Sequence, residues 1–346
     1  MSEVPGLPTA ALERVASLLQ HRDMLPDGEP LSARLISGGR SNITYRLDSS
    51  EGSWVLRRPP LGHVLSTAHD MTREYRVLSA LASAEVEVPV PRPLLYCDDA
   101  DVLGSSFYVM EYVDGNVLRT SQEALALPPA DQARLAVELI DVLGALHRID
   151  PASVNLQDFG RPEGFTARQV ARWTRQLNES RSRDIPGIVR LAETLRRTVP
   201  AQRYSSIIHG DHRLDNCLTR DGRIAAVLDW EMSTLGDPLA DLGLFAVYYG
   251  GFTDLENPVV HSIAGLGAYP SLSDILERYG QRTGHDLSDL DWYVAFAWFK
   301  FAAILEGIHY RSTLGATVGE GFEGVADLVA PSVDRGLDRL AQAGIR

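Results

Sequence analysis

The segment His209-Gly210-Asp211-His212-Arg213-Leu214-Asp215-Asn216, followed by Val227-Leu228-Asp229-Trp230-Glu231, constrains the fold more than any other part of the chain. Ile207-Ile208 precedes the first half, and Ile224 to Leu228 leads into the second, beside the turn residues Asp221-Gly222. These apolar runs are too short for helices and read as short strands framing a loop. Asp211 and Asn216 then stand five apart within the loop, and Asp229 ends the second strand.

The rest of the chain changes character along its length. Leu12, Val15, Leu18 and Leu19 recur at helical spacing and open it with a short amphipathic helix. Between residues 31 and 58, Arg34-Leu35-Ile36, Thr44-Tyr45-Arg46-Leu47 and Trp54-Val55-Leu56-Arg57 alternate with polar turns and predict three antiparallel strands, stopped by Pro59-Pro60. Residues 70–82 predict a helix, residues 86–93 with their prolines an extended connection, and residues 106–113 a further strand. After residue 120 helical patterns dominate, with Leu135, Leu139, Val142, Leu143 and Leu146 forming one apolar stripe. The expected class is α+β: a small β-rich part with one large helical part after it, joined near residues 112–116.

Composition narrows the function. The chain has 346 residues, 45% hydrophobic and 23% charged, which suits one large bilobal unit or two domains and leaves no room for long disordered tracts. A formal net charge of −13 argues against a nucleic-acid partner, because phosphates need a basic surface. The N-terminus lacks the basic and apolar regions of a signal peptide, and the apolar stretch Tyr293 to Ile308 is interrupted by Lys300 and Glu306, so it reads as a buried helix with no membrane role. Cys97 and Cys217 lie far apart without metal-ligand spacing, which favours a reducing, cytoplasmic setting.

The chemistry of the central segment is specific. Phosphoryl transfer needs a carboxylate that orients an acceptor hydroxyl and takes its proton, and an amide oxygen with a second carboxylate that hold Mg²⁺ against nucleotide phosphates. Asp211, Asn216 and Asp229 supply those groups. A zinc-hydrolase reading of His209, Asp211 and His212 lacks further histidines nearby, and no GxSxG elbow supports an acyl hydrolase. His69-Asp70 resembles a phosphohydrolase dipeptide but has no supporting ligands, and Asp70 suits a helix N-cap.

With HGDxxxxN, the DWE at Asp229 and the following Gly236-Asp237-Pro238-Leu239-Ala240-Asp241-Leu242, the chain resembles the aminoglycoside phosphotransferase-like family, relatives of the protein kinases. SGGRSNITYRL, VLRRPP, TREYRVLSAL, YVMEYVDG and WYVAFAWFKFAAILEGIHYR are similar to the branch that includes kinase-like domains joined to some acyl-CoA dehydrogenases. The resemblance implies a protein-kinase-like bilobal fold. Residues 1–112 would form an N-lobe with an N-terminal helix and a nucleotide-covering hairpin, and residues 113–346 a helical C-lobe with the catalytic and metal-binding loops.

It also implies ATP and Mg²⁺, with Asp211 as catalytic base, Arg213 on the transferring phosphate, and Asn216 and Asp229 on the metal. For the nucleotide it implies Gly39, Ser41 and Asn42 over the phosphates, an Arg57–Glu74 ion pair, and the hinge Glu111 to Val113 beside adenine. Asp237 and Asp241 are expected to anchor backbone amides and the catalytic loop. Arg57 stands where kinases carry lysine, which leaves open a nucleotide-binding pseudokinase. The implied acceptor is a small-molecule hydroxyl: a hydroxy acid or hydroxyacyl-CoA, or else an aminoglycoside or amino-sugar.

Overall fold

The computed structural model describes residues 6–38, 42–60, 70–255, 257, 259–314 and 324–346. The chain forms two compact units, Met1–Glu85 with Pro89–Asp114, and Val86–Val88 with Gly115–Arg346.

The smaller unit contains helix α1 (Thr9–Gln20), strands β1 (Ser32–Gly38), β2 (Ile43–Asp48) and β3 (Ser53–Arg58), helix α2 (Met71–Ser83), strand β4 (Pro93–Cys97), the short helix α3 (Ala100–Leu103) and strand β5 (Phe107–Glu111). The strands form one antiparallel sheet in the order β1-β2-β3-β5-β4. Alternation in β2 buries Ile43, Tyr45 and Leu47, which join Val15 and Leu19 of α1 and Leu56, Leu95, Phe107 and Val109 in one core. Asp70 caps α2 by accepting the Arg73 N–H at 3.1 Å, and the helix buries Val77, Leu78 and Leu81. Strand β4 was not expected from the sequence. The prolines before it mask the run Leu94-Leu95-Tyr96-Cys97, and Pro93 sits at its start on a sheet edge, where its missing N–H costs nothing.

The larger unit contains α4 (Ser121–Leu125), α5 (Pro129–Arg148), α6 (Phe165–Ser180), α7 (Ile188–Arg197), β6 (Ser206–Ile208), β7 (Cys217–Arg220), β8 (Arg223–Val227), β9 (Thr234–Gly236), α8 (Pro238–Gly250), α9 (Leu272–Thr283), α10 (Leu290–Thr313) and α11 (Val329–Gln342). The two apolar runs framing the loop belong to different sheets. Strand β6 pairs with β9, whereas β8 pairs with β7 across a hairpin whose Asp221 and Gly222 both have positive φ. Helix α8 is buried almost all round and crosses α10 at Gly243, where a Cβ would lie 2.7 Å from the Tyr293 backbone. Tyr293 also donates to Asp237 Oδ2 at 2.8 Å, while Asp237 Oδ1 caps α8 through the Leu239 N–H. Among the described residues, no helix is long and apolar enough to cross a membrane. Both cysteines are buried and free.

Candidate active site

The loop after β6 is shaped by its own backbone demands. Gly210 has φ +85°, and a Cβ there would lie 2.9 Å from Met232 Cβ and its carbonyl oxygen, so only glycine fits between His209 and Asp211. The turn aims two successive amides at Asp241 in the first turn of α8: His209 N–H donates to Oδ2 at 2.6 Å and Gly210 N–H to Oδ1 at 2.8 Å. His147 lies 3.3 Å from the same carboxylate. Burial alone would raise the Asp241 pKa, but the His147 hydrogen bond and the neighbouring imidazoles bring it down to about 2. Asp241 is thus the anchor of the loop, and Asp237 is the cap of the helix that carries it.

The two histidines of the loop are committed to backbone carbonyls. His209 donates through Nε2 to the Leu228 carbonyl at 2.9 Å, which leaves Nδ1 to accept the Asp211 N–H at 3.2 Å. His212 donates through Nε2 to the Leu139 carbonyl at 2.8 Å, and burial pushes its pKa down to about 4. Trp230 packs 4.7 Å from the His209 ring and donates to the Val227 carbonyl.

These bonds bring the predicted residues together. Asn216 donates through Nδ2 to both the Asp211 carbonyl and Asp211 Oδ2, each at 2.8 Å. Its amide oxygen is thereby left as the available ligand atom. Leu228 N–H donates to the Asn216 carbonyl at 2.8 Å, while the Leu228 carbonyl takes the His209 bond. The residue before Asp229 is therefore held on both sides, and Asp229 itself adopts φ +64°, an uncommon conformation that Asp tolerates better than most residues. Arg213 pairs with Asp215 at 2.9 Å and lies 3.7 Å from Asp211 Oδ2. Its guanidinium also sits 5.2 Å from the centre of the Tyr248 ring.

The smaller unit holds a second set. Arg57 Nε pairs with Glu74 Oε2 at 3.0 Å, and Glu74 is only 1% exposed. Asn42 is buried, and its amide reaches the same Glu74 oxygen at 3.4 Å. Glu111 uses its carboxylate and its own N–H on the Arg92 backbone, at 3.0 and 2.9 Å, so its side chain is a strand-end tie. Val113 follows β5 in the segment read as the hinge, and among the described residues no backbone hydrogen bond engages its N–H. Gly39 and Ser41 lie outside the described residues.

Two residues escaped sequence reasoning. Tyr248 O–H donates to Asp211 Oδ1 at 2.7 Å. Lys300 of α10, with its pKa lowered by burial, donates to the Gly210 carbonyl at 3.3 Å. The available signals were a tyrosine seven residues after Asp241 on one helix, and a lysine within the apolar stretch of another.

A cleft open to solvent adjoins the loop. Arg213, Asp215, Phe245, Tyr248 and Tyr249 are among its lining residues, as are Arg119 and His261.

Residues 32–275 match the phosphotransferase enzyme family. The chain is 37% identical over 319 residues to acyl-CoA dehydrogenase family member 11 of Gallus gallus, covering 89% of this chain and 40% of that one. The human member 11 is 35% identical, covering 86% and 39%. The chain therefore spans about two fifths of the length of these relatives. A candidate aminoglycoside phosphotransferase from Ralstonia eutropha JMP134 superposes with a TM-score of 0.83 at 32% identity, covering 95% and 98% of the two chains. Choline kinase from Cryptosporidium parvum shares the fold, with a TM-score of 0.66 at 14% identity and coverage of 96% and 97%. The chain has a protein-kinase-like α+β fold and belongs to the phosphotransferase enzyme family, with the kinase-like part of the acyl-CoA dehydrogenase family members 10 and 11 among its relatives.

Proposed function

We propose that the protein is an ATP-dependent kinase that moves the γ-phosphoryl group to a hydroxyl of a small molecule. The observation that carries this is the Asn216 amide, which bonds Asp211 through its nitrogen and keeps its oxygen for a cation. Asn216 and Asp229 offer hard oxygen donors of the kind Mg²⁺ takes, and their backbones are tied through Leu228, so the residues fit the ion. When bound there, Mg²⁺ would offset charge on the nucleotide phosphates.

The residues of the chain divide the remaining work. Asp211 orients the acceptor hydroxyl and takes its proton as the oxygen–phosphorus bond forms and the bond to the leaving ADP breaks. Arg213, held by Asp215, offers positive charge to the transferring group. Arg57, oriented by Glu74, binds the non-transferred phosphates, with Gly39, Ser41 and Asn42 as the phosphate-covering turn. The segment Glu111 to Val113 binds adenine, with the Val113 N–H as its donor. The complete set of Asp211, Asn216 and Asp229 favours an active enzyme over a pseudokinase, because a scaffold needs no paired base and metal ligands.

For the acceptor we favour a hydroxy acid or hydroxyacyl-CoA. The names of the 35–37% identical relatives tie them to acyl-CoA, and the cleft sets aromatic surface beside Arg119 and His261. Such a lining suits an apolar segment with an acidic group. The net charge of −13 and the likeness to a candidate aminoglycoside phosphotransferase favour the second reading, an aminoglycoside or amino-sugar. Coupled ADP release over hydroxyacyl-CoAs, hydroxy acids, amino-alcohols and aminoglycosides separates them. Mg²⁺-dependent turnover confined to the hydroxyacyl and hydroxy-acid set is expected. Turnover confined to aminoglycosides or amino-alcohols would reverse the assignment, and nucleotide binding without turnover on any acceptor would favour the pseudokinase.

A further inference from the structure

Helix α8 follows the catalytic loop one contact at a time. Asp241, Phe245 and Tyr248 are spaced i, i+4 and i+7, so they line one face of the helix. Asp241 holds the His209 and Gly210 amides, Phe245 stacks on His212 at 6.2 Å, and Tyr248 reaches Asp211. Of these three contacts, the one from Tyr248 alone ends on the carboxylate of the proposed base.

We infer that Tyr248 is a positioning residue for phosphoryl transfer, acting through Asp211; the inference rests on the proposed function. Asp211 Oδ2 is held by the Asn216 amide at 2.8 Å and Oδ1 by the Tyr248 hydroxyl at 2.7 Å. One donor on each oxygen stops the carboxylate from rotating, and each oxygen retains a lone pair for an acceptor hydroxyl. Tyr248 is 8% exposed and has the Arg213 guanidinium 5.2 Å from its ring centre. A phenylalanine would fill that space equally well, so what the hydroxyl adds is the bond to Asp211. Burial, reinforced by the Asp211 charge, raises the phenol pKa well above 10, so Tyr248 remains a donor at any working pH. The same ring lines the cleft beside the loop, so the residue that fixes the base also borders the space open to an acceptor.

The test uses the full chain and Mg²⁺-dependent ATP turnover, with water as acceptor, in wild type, Tyr248→Phe, Asp211→Asn and the double variant. Losing a hydrogen bond to a charged group should lower the kcat of Tyr248→Phe by about 10–100-fold. The KM for ATP should stay within about twofold, because the Tyr248 hydroxyl acts on Asp211 and not on nucleotide binding. In the Asp211→Asn background the same change should cost nothing further, a non-additivity that a merely structural tyrosine would not produce. Wild-type turnover in Tyr248→Phe, or losses that add fully to those of Asp211→Asn, would overturn the positioning role and leave the proposed function standing. Full turnover in Asp211→Asn, or no turnover by wild type with water or with any acceptor of the screen above, would overturn both.

Discussion

Arg57 shows how much a single residue must do here. Its guanidinium pairs with the carboxylate of Glu74, a residue that is 1% exposed, and a planar guanidinium matches phosphate geometry as well as carboxylate geometry. Arg57→Ala should weaken ATP binding by about tenfold or more, the loss of one charge-assisted hydrogen bond of roughly 1.5–3 kcal/mol. Titration with Mg·ATP checks this, and unchanged affinity would move the phosphate contact to another residue. The pairing of Arg57 with Glu74 was legible only through the family resemblance, which implies a strand cation paired with a carboxylate on the next helix. The Tyr248 contact was not, because nothing in a sequence says that one face of a later helix lies along the loop. Arg213 pairs with Asp215 and stands 3.7 Å from Asp211 Oδ2, a placement no sequence pattern dictates.

At the scale of elements, the loop is held by tertiary ties and contributes little regular structure of its own. Helix α8 grips it through Asp241, and α5 grips it through the Leu139 carbonyl and His212. The second tie predicts a pH dependence. His212 has a folded pKa of about 4 against an ordinary 6.5, so between those values the unfolded chain binds the extra proton and stability rises with pH. The contribution is complete above about pH 6.5 and is lost as pH falls toward 4, amounting to about 3 kcal/mol. Chemical denaturation at several pH values should show this slope, and His212→Gln should flatten it. An identical slope in the variant would show that other groups govern the window. The element types were mostly readable from periodicity and turn residues, but strand pairing was not. Strands of three to five residues carry too little pattern to choose partners, so β6 with β9 and β7 with β8 emerge only in three dimensions.

At the scale of the molecule, the family match over residues 32–275 draws on both compact units. The smaller contributes the Arg57–Glu74 pair, and the larger contributes Asp211, Asn216 and Asp229. The fold class was legible because strand-rich and helix-rich halves meet near residue 114 and because the loop chemistry is specific. The acceptor was not, since the cleft gathers residues from five separated stretches that share no motif. In the proposed function two aspartates divide the labour: Asp211 takes a proton, and Asp229 holds the metal. The most direct measurement compares Mg·ATP affinity with single-turnover phosphoryl transfer in Asp211→Asn and Asp229→Asn. Asp211→Asn should bind Mg·ATP within a few-fold of wild type and transfer about 10²–10⁴-fold more slowly, the usual contribution of a positioned base, while Asp229→Asn should lose both transfer and the Mg²⁺ dependence of binding. Transfer at the wild-type rate by Asp211→Asn, or unaltered Mg²⁺ dependence in Asp229→Asn, would contradict it.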